Sequence, residues 1–215
     1  MAYKVLLING SPHAHGCVDT ALQEIVGVLN DEGIETEVVH IGARPVGGCI
    51  ACGGCSRGGG CVFDDVVNEV AEKFREADGL IIGSPVYYGS PNGTLLSFLD
   101  RLFYSTGVGN PNGFSKQMKV GAAVVNCRRG GNTASFDVLN KYFTISGMPV
   151  VSSTYWNQVH GFTAEDVKKD LEGLQTMRNL ARNMAFLIKA IRSEAALHGL
   201  PEQEQTCFTS FPDGK

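Results

Sequence analysis

Nothing in this chain approaches the ~20 consecutive apolar residues that a helix needs to cross a bilayer. An excess of positive charge is missing as well: 18 Lys and Arg stand against 22 Asp and Glu, for a net charge of −4. That balance offers no electrostatic reason to expect nucleic acid. Charged residues make up only 19% of the 215, too few for a disordered chain. Internal repeats, low-complexity tracts and a Pro- or Ser-rich linker are absent too, which excludes a solenoid and gives no sign of a second domain. What remains is one globular domain with 43% hydrophobic residues, enough for a buried core. Residues 1–196 are expected to form it, with 197–215 as a polar tail. The opening "MAYKVLLINGSP" meets Gly and Pro too soon for a signal-peptide core and reads as a strand. The seven cysteines are therefore expected to be reduced thiols of a cytoplasmic protein rather than a disulfide framework.

Hydrophobic patterning alternates between two kinds of element. Continuous apolar runs at 4–9, 34–41, 79–83, 119–125 and "MPVVSS" at 148–153 read as strands buried on both faces. Between them lie helical spacings. One starts from a cap at Asp19, carries Leu22, Ile25, Val26 and Leu29, and stops at Gly33; another opens at Asp64 and Asp65 with Val66, Val67, Val70 and Phe74. Further helices are expected over 94–105, 133–145 and 164–196. Alternation of this kind predicts an α/β fold: a doubly wound, five-stranded parallel sheet in the order 2-1-3-4-5 with helices on both faces. Ligands of such sheets bind beyond the carboxyl ends of the strands, where the strand order reverses.

The three loops at that end are unusual. "GSPHAHGCVDT" joins a strand to a helix through small and hydroxyl residues: Ser11, Gly16 and Thr20, with His13 and His15 as added donors. Free amides and the positive helix end suit a phosphate there, although the loop is neither G-x-G-x-x-G nor Walker A. The alternative is a plain strand–helix turn. "GSPVYYGSPNG" places Tyr87 and Tyr88 in a loop whose Pro and Gly hold the backbone close to a flat ring system, or else the tyrosines cover the sheet edge. "NCRRGGN" sets Arg128 and Arg129 between Asn126 and the pair Gly130 and Gly131; this suits an anionic ring edge or nucleotide phosphates, or a solvated basic turn.

A fourth loop, "CIACGGCSRGGGC", holds Cys49, Cys52, Cys55 and Cys61 in the spacing C-x2-C-x2-C-x5-C. Zinc sites usually take two separated pairs. Successive x2 spacings instead wrap one face of an iron–sulfur cubane, with the fourth ligand arriving from further on. The x5 gap and the following Val62 depart from the ferredoxin run. The spacing leaves cluster and free thiols both open.

Together these stretches resemble the NADPH-dependent FMN reductase-like branch of the flavodoxin superfamily over most of the chain, from Lys4 to about Ile191. The compact cysteine loop resembles that of the iron–sulfur flavoproteins, which carry a [4Fe–4S] cluster beside FMN. The resemblance implies that Ser11, His13, Gly16, Cys17, Val18, Asp19 and Thr20 hold the FMN phosphate. It places Pro85, Val86, Tyr87, Tyr88 and Gly89 along the flavin ring with Asn92 nearby. Asn126 to Gly131, with Arg128, Arg129 and Gly130, would line its other edge. Family phosphate loops often read Asn-Thr where this chain has Asp19-Thr20, so Asp19 is expected to act through its backbone and as a helix cap. Tyr88, Arg128 and Trp156 are the candidates for the substrate face, and no side-chain acid or base is assigned. The resemblance also implies an oxidoreductase fed by NAD(P)H or a ferredoxin-like donor and emptied by a small acceptor such as a quinone or free flavin. A non-enzymatic electron carrier or redox sensor is the alternative. The helix over 94–105 has an apolar arc of Leu95, Leu96, Phe98, Leu99, Leu102 and Phe103, wider than one core face needs; with the resemblance it implies a homodimer or dimer of dimers.

Overall fold

The computed structural model describes residues 2–43, 45–107, 110–205, 207, 209 and 211. Its strands are β1 (Tyr3–Asn9), β2 (Ile34–His40), β3 (Gly79–Tyr87), β4 (Ser90–Pro91), β5 (Val120–Cys127) and β6 (Gln158–His160). The helices are α1 (Cys17–Asp31), α2 (Val66–Glu76), α3 (Gly93–Ser105), α4 (Asn132–Ile145), α5 (Ala164–Val167) and α6 (Leu171–His198). Five parallel strands run in the order β2-β1-β3-β5-β6, and β4 pairs antiparallel with the end of β3.

The apolar runs are continuous because both sheet faces are covered. Alternate residues point to opposite sides. Val5, Leu7, Ile81, Ala122 and Val124 meet α1 and α6, whereas Leu6, Ile8, Leu80, Ile82, Ala123 and Val125 meet α2, α3 and α4. The connection leaving β1 thus lies on one face and that leaving β3 on the other, which opens a crevice between their carboxyl ends.

Three boundaries differ from the sequence reading. The sheet has six strands rather than five, because the Tyr87–Ser90 hairpin adds β4. The run 148–153 makes only one bridge, Gly121 to Val150, and the parallel edge strand is Gln158–His160 instead. Pro149 has no N–H to donate, and the chain folds away from the sheet where Ser153 Oγ, with one proton to donate, stands 2.6 Å from Tyr155 O and 2.7 Å from Asn157 Oδ1. The helix expected over 164–196 is two helices. Thr163 and Asp166 form a reciprocal capping box for α5, and Asp170 caps α6 through Gly173 N. The apolar arc of α3 is also covered within the subunit, since Leu96 and Phe103 pack against the same core as Leu95 and Phe98.

Lys116, in the loop after α3, is buried, donates to Thr106 O (2.9 Å) and stands 4.6 Å from the Phe114 ring centroid. Burial, with Lys119 and Arg75 nearby, pushes its ammonium down to about 8. Between that value and the ordinary ~10.4 of the unfolded chain, the unfolded state holds a proton that the folded state lacks. Stability should therefore rise from pH 8 to pH 10, by up to ~3 kcal/mol from this group. Urea melts across that range check it: Lys116→Met should remove this upward contribution, to which Lys119, also lowered by burial, adds and from which the raised Cys17 and Cys127 thiols subtract.

Candidate functional site

The loop from β1 to α1 is tied to itself before it reaches any ligand. Asn9 Oδ1 accepts from Ser11 N (3.0 Å), Asn9 Nδ2 donates to Ala14 O (3.3 Å), and Ser11 Oγ accepts from His13 N (3.1 Å). His40 Nε2 donates to Ser11 O (2.7 Å). The helix that follows begins behind Gly16, which supplies no side-chain cap. The first-turn amides at the positive end of the helix are thus left without the oxygen that a Ser or Asp cap would bring. Asp19, expected as the cap, sits inside the first turn, where its carboxylate takes Gln23 Nε2 (3.3 Å) and His15 Nδ1 (3.4 Å). Thr20 donates its hydroxyl back to Gly16 O (3.1 Å).

The second wall leaves β3. Tyr88 and Gly89 both have positive φ, 51° and 76°, and form a two-residue hairpin turn that suits the twist of the flanking strands. A tyrosine in that region is strained, and its ring is fully exposed. The third wall, the loop after β5, closes against this hairpin at Gly131 (φ 90°). A Cβ there would lie 2.7 Å from Gly89 Cα and 2.9 Å from Val86, so only glycine fits. Asn126 Nδ2 reaches Val159 O and Gly161 O, both at 3.3 Å, and fixes the end of β5 to the end of β6. Asn92 caps α3 through Thr94 N (3.1 Å) and donates to Gly10 O (2.8 Å), joining the first two walls.

These walls enclose a cleft of about 620 Å³. It brings together Ser11, His13, Gly16, Cys17 and Val18 from the first loop, Pro85, Val86 and Tyr87 from the second, and Asn126 and Arg128 from the third. Asp19, Thr20, Tyr88, Gly89, Asn92, Arg129, Gly130 and Gly131 are not in its lining. Most of these shape the loops from behind, as described. His15 and Cys127 also line the cleft, and a fourth wall of Gly161, Phe162, Thr163 and Ala164 was missed from the sequence. The Thr163–Asp166 capping box was the legible signal for that wall. Trp156 lies elsewhere: with Tyr155, 4.7 Å away between ring centroids, it lines a separate cleft of about 220 Å³ with His160 and Asp170.

The cleft carries little negative charge of its own. Burial pushes the Cys17 and Cys127 thiols up, and burial followed by Cys17 pushes the Tyr87 phenol up, so all three stay neutral near pH 7. Arg128 is exposed, 6.0 Å from the Phe162 ring centroid.

The cysteine loop lies between β2 and α2. It packs on the second half of α3, with Arg101 and Ser105 roughly 12–18 Å along the helix from its start at Gly93. The chain turns left-handed at Ala51, Gly53 and Gly58 (φ 51°, 66° and 87°). Asn68 clasps Cys61 at both N (2.8 Å) and O (2.9 Å), and Asn110 and Asn112 donate to Gly59 O and Gly58 O, each at 2.9 Å. Cys49, Cys52, Cys55 and Cys61 all line one small apolar cavity of about 30 Å³, and all are free thiols. Among the described residues, no three His, Cys, Asp or Glu gather closely enough to hold a metal ion. The Ser105 hydroxyl is buried in the same wall without a hydrogen-bond partner.

A sequence model of the family described as NADPH-dependent FMN reductase matches residues 3–163. An iron–sulfur flavoprotein of Methanocaldococcus jannaschii is 34% identical over 198 residues, covering 88% of this chain and 99% of that protein. One from Methanosarcina thermophila is 32% identical over 191 residues, with 88% and 97% covered. Among solved structures, RosB with a bound 8-demethyl-8-formylriboflavin-5'-phosphate intermediate aligns at TM-score 0.71 and 18% identity, over 98% of this chain and 93% of that one. An NADH:FMN oxidoreductase in its apo form aligns at TM-score 0.59 and 18% identity, over 86% and 89%. At such identities the structural matches establish the fold, which is flavodoxin-like. No described helix is long and apolar enough to cross a membrane.

Proposed function

Because the chain belongs to the NADPH-dependent FMN reductase family, we propose that it binds FMN in the cleft beyond β1, β3 and β5 and acts as a flavin-dependent oxidoreductase. Electrons enter from NAD(P)H or a ferredoxin-like donor and leave to a small acceptor such as a quinone or free flavin. The observation that carries this reading is the convergence of an uncapped helix start and two ring-walling loops on one cleft of about 620 Å³.

Bound FMN supplies the hydride and electron chemistry. The chain's own residues hold and orient it. The first-turn amides of α1, with Ser11 and His13 beside them, receive the phosphate, and the neutral Cys17 adds no charge against it. Pro85, Val86 and Tyr87 would run along one side of the ring and Asn126 and Arg128 along the other, with the exposed Phe162 at the rim of the cleft. Hydride transfer needs no side-chain proton donor, and none is assigned.

Cys49, Cys52, Cys55 and Cys61 are proposed as the ligands of a [4Fe–4S] cluster. The shared cavity, the unpartnered Ser105 hydroxyl and the names of the two archaeal relatives support this. The exposure of Cys49 and Cys52 favours one further reading, an electron carrier whose partner is a protein that docks at this loop. Exposed Ile50, Val62 and Tyr104 around the loop support assembly as a homodimer or dimer of dimers.

The test starts from anaerobically purified protein reconstituted with FMN. Flavin binding with oxidation of NADH or NADPH is expected, together with iron and sulfide in equal amounts. Failure to bind FMN sinks the assignment. Binding without turnover on either nucleotide leaves the carrier, and flavin without iron removes the cluster.

A further inference from the structure

The side of α3 facing the cysteine loop carries two donors that the helix itself does not need. Arg101 is 2% exposed. Its Nε donates to Cys61 Sγ at 3.1 Å, its two terminal nitrogens grip Asp65 at 2.8 Å each, and one of them also reaches Gly47 O at 3.3 Å. The guanidinium lies 4.7 Å from the Phe63 ring centroid, so its orientation is fixed on every side. One turn further on, Ser105 lines the same cavity, is 4% exposed, and its hydroxyl has no hydrogen-bond partner. Leaving such a group unpaired is costly. Alanine in its place would avoid that cost and favour the helix.

We infer that Arg101 and Ser105 are positioning residues of the four-cysteine site, and that they donate hydrogen bonds to its sulfur atoms and so set the reduction potential of the cluster held there. The inference rests on the cluster reading above. Reduction adds negative charge, which spreads onto the sulfurs. Directed N–H and O–H donors stabilise the reduced form more than the oxidised one and raise the potential. The Asp65 carboxylate offsets much of the Arg101 charge, so the directed Nε–H bond carries the effect at Cys61. Ser105 adds a neutral dipole free to turn toward the cavity.

The experiment compares the full chain with Ser105→Ala, Ser105→Thr and Arg101→Lys, all purified anaerobically. Iron and sulfide are measured first, and the cluster potential is then titrated by electron paramagnetic resonance. Ser105→Ala should keep its iron and become harder to reduce by about tenfold, equivalent to about 59 mV for one electron. Ser105→Thr, which restores the hydroxyl, should return close to the parent value. Arg101→Lys keeps the charge but not the Nε–H, and should shift in the same direction as Ser105→Ala. Equal potentials at equal iron content in all four proteins overturn the inference and leave the cluster reading intact. A parent chain without iron overturns the cluster reading, and the inference with it.

Discussion

Gly16→Asp should weaken FMN binding by roughly 100-fold or more while the protein folds at least as well as before. Gly16 is the N-cap of α1 with φ −98° and ψ −159°, a backbone open to any residue, and it supplies no side-chain bond. Aspartate is among the best caps, and its carboxylate would satisfy first-turn amides that are otherwise left for the ligand. The added Cβ meets His13 Cβ at 3.1 Å, a contact relieved by a small movement of that exposed loop residue. Helix stability should rise by about a few tenths of a kcal/mol, while the phosphate meets both an occupied cap and a negative charge. Fluorescence titration with FMN reads the first effect and a thermal melt the second. Undiminished FMN affinity would place the phosphate elsewhere.

Arg101→Met is expected to cost about 1–3 kcal/mol of stability, less than a fully buried ion pair because the Asp65 side chain is 32% exposed and water can solvate part of its charge. The loss comes from what stays behind. Asp65 caps α2 through Val67 N at 3.1 Å, and its carboxyl is held below the ordinary range: burial alone would raise it, but the Arg101 and Val67 hydrogen bonds outweigh burial. Without Arg101 that carboxylate is an unpaired charge, and Gly47 O loses a donor. Adding Asp65→Asn should recover about half the loss, because asparagine still caps the helix and carries no charge. Urea melts of the two single variants and the double variant measure the coupling. Additive losses would show that the pair is not what holds the loop on α3.

Much of this was legible because strand and helix periods are local. The buried runs of β1, β3 and β5, the stop at Gly33 and the cap at Asp65 each follow from a few neighbouring residues. So did the three turn-rich loops beyond β1, β3 and β5 that line one cleft, since turn-forming residues beyond a buried strand mark the end of a sheet where ligands gather. The edge strand was misplaced because "MPVVSS" carries as good a β pattern as "QVH". Only the turn at Ser153 and Asn157 decides which run pairs with β5. The break before α6 was missed for a related reason: Asp170 reads as one more polar helix residue until its carboxylate is seen to bind Gly173 N and His160 N.

The sequence by itself determined the doubly wound order, the family, and the four thiols within thirteen residues. Those properties rest on residue spacing, and spacing is written along the chain. Tertiary structure alone decided that Asp19 is not the cap, that Phe162 and Thr163 wall the cleft, and that Trp156 lies outside it. It also decided that the cysteine loop packs on α3. Arg101 lies forty residues from Cys61 in the chain and 3.1 Å from its sulfur in the fold, a contact that exists only because the packing of α2 against α3 brings Asp65, Arg101 and the loop together.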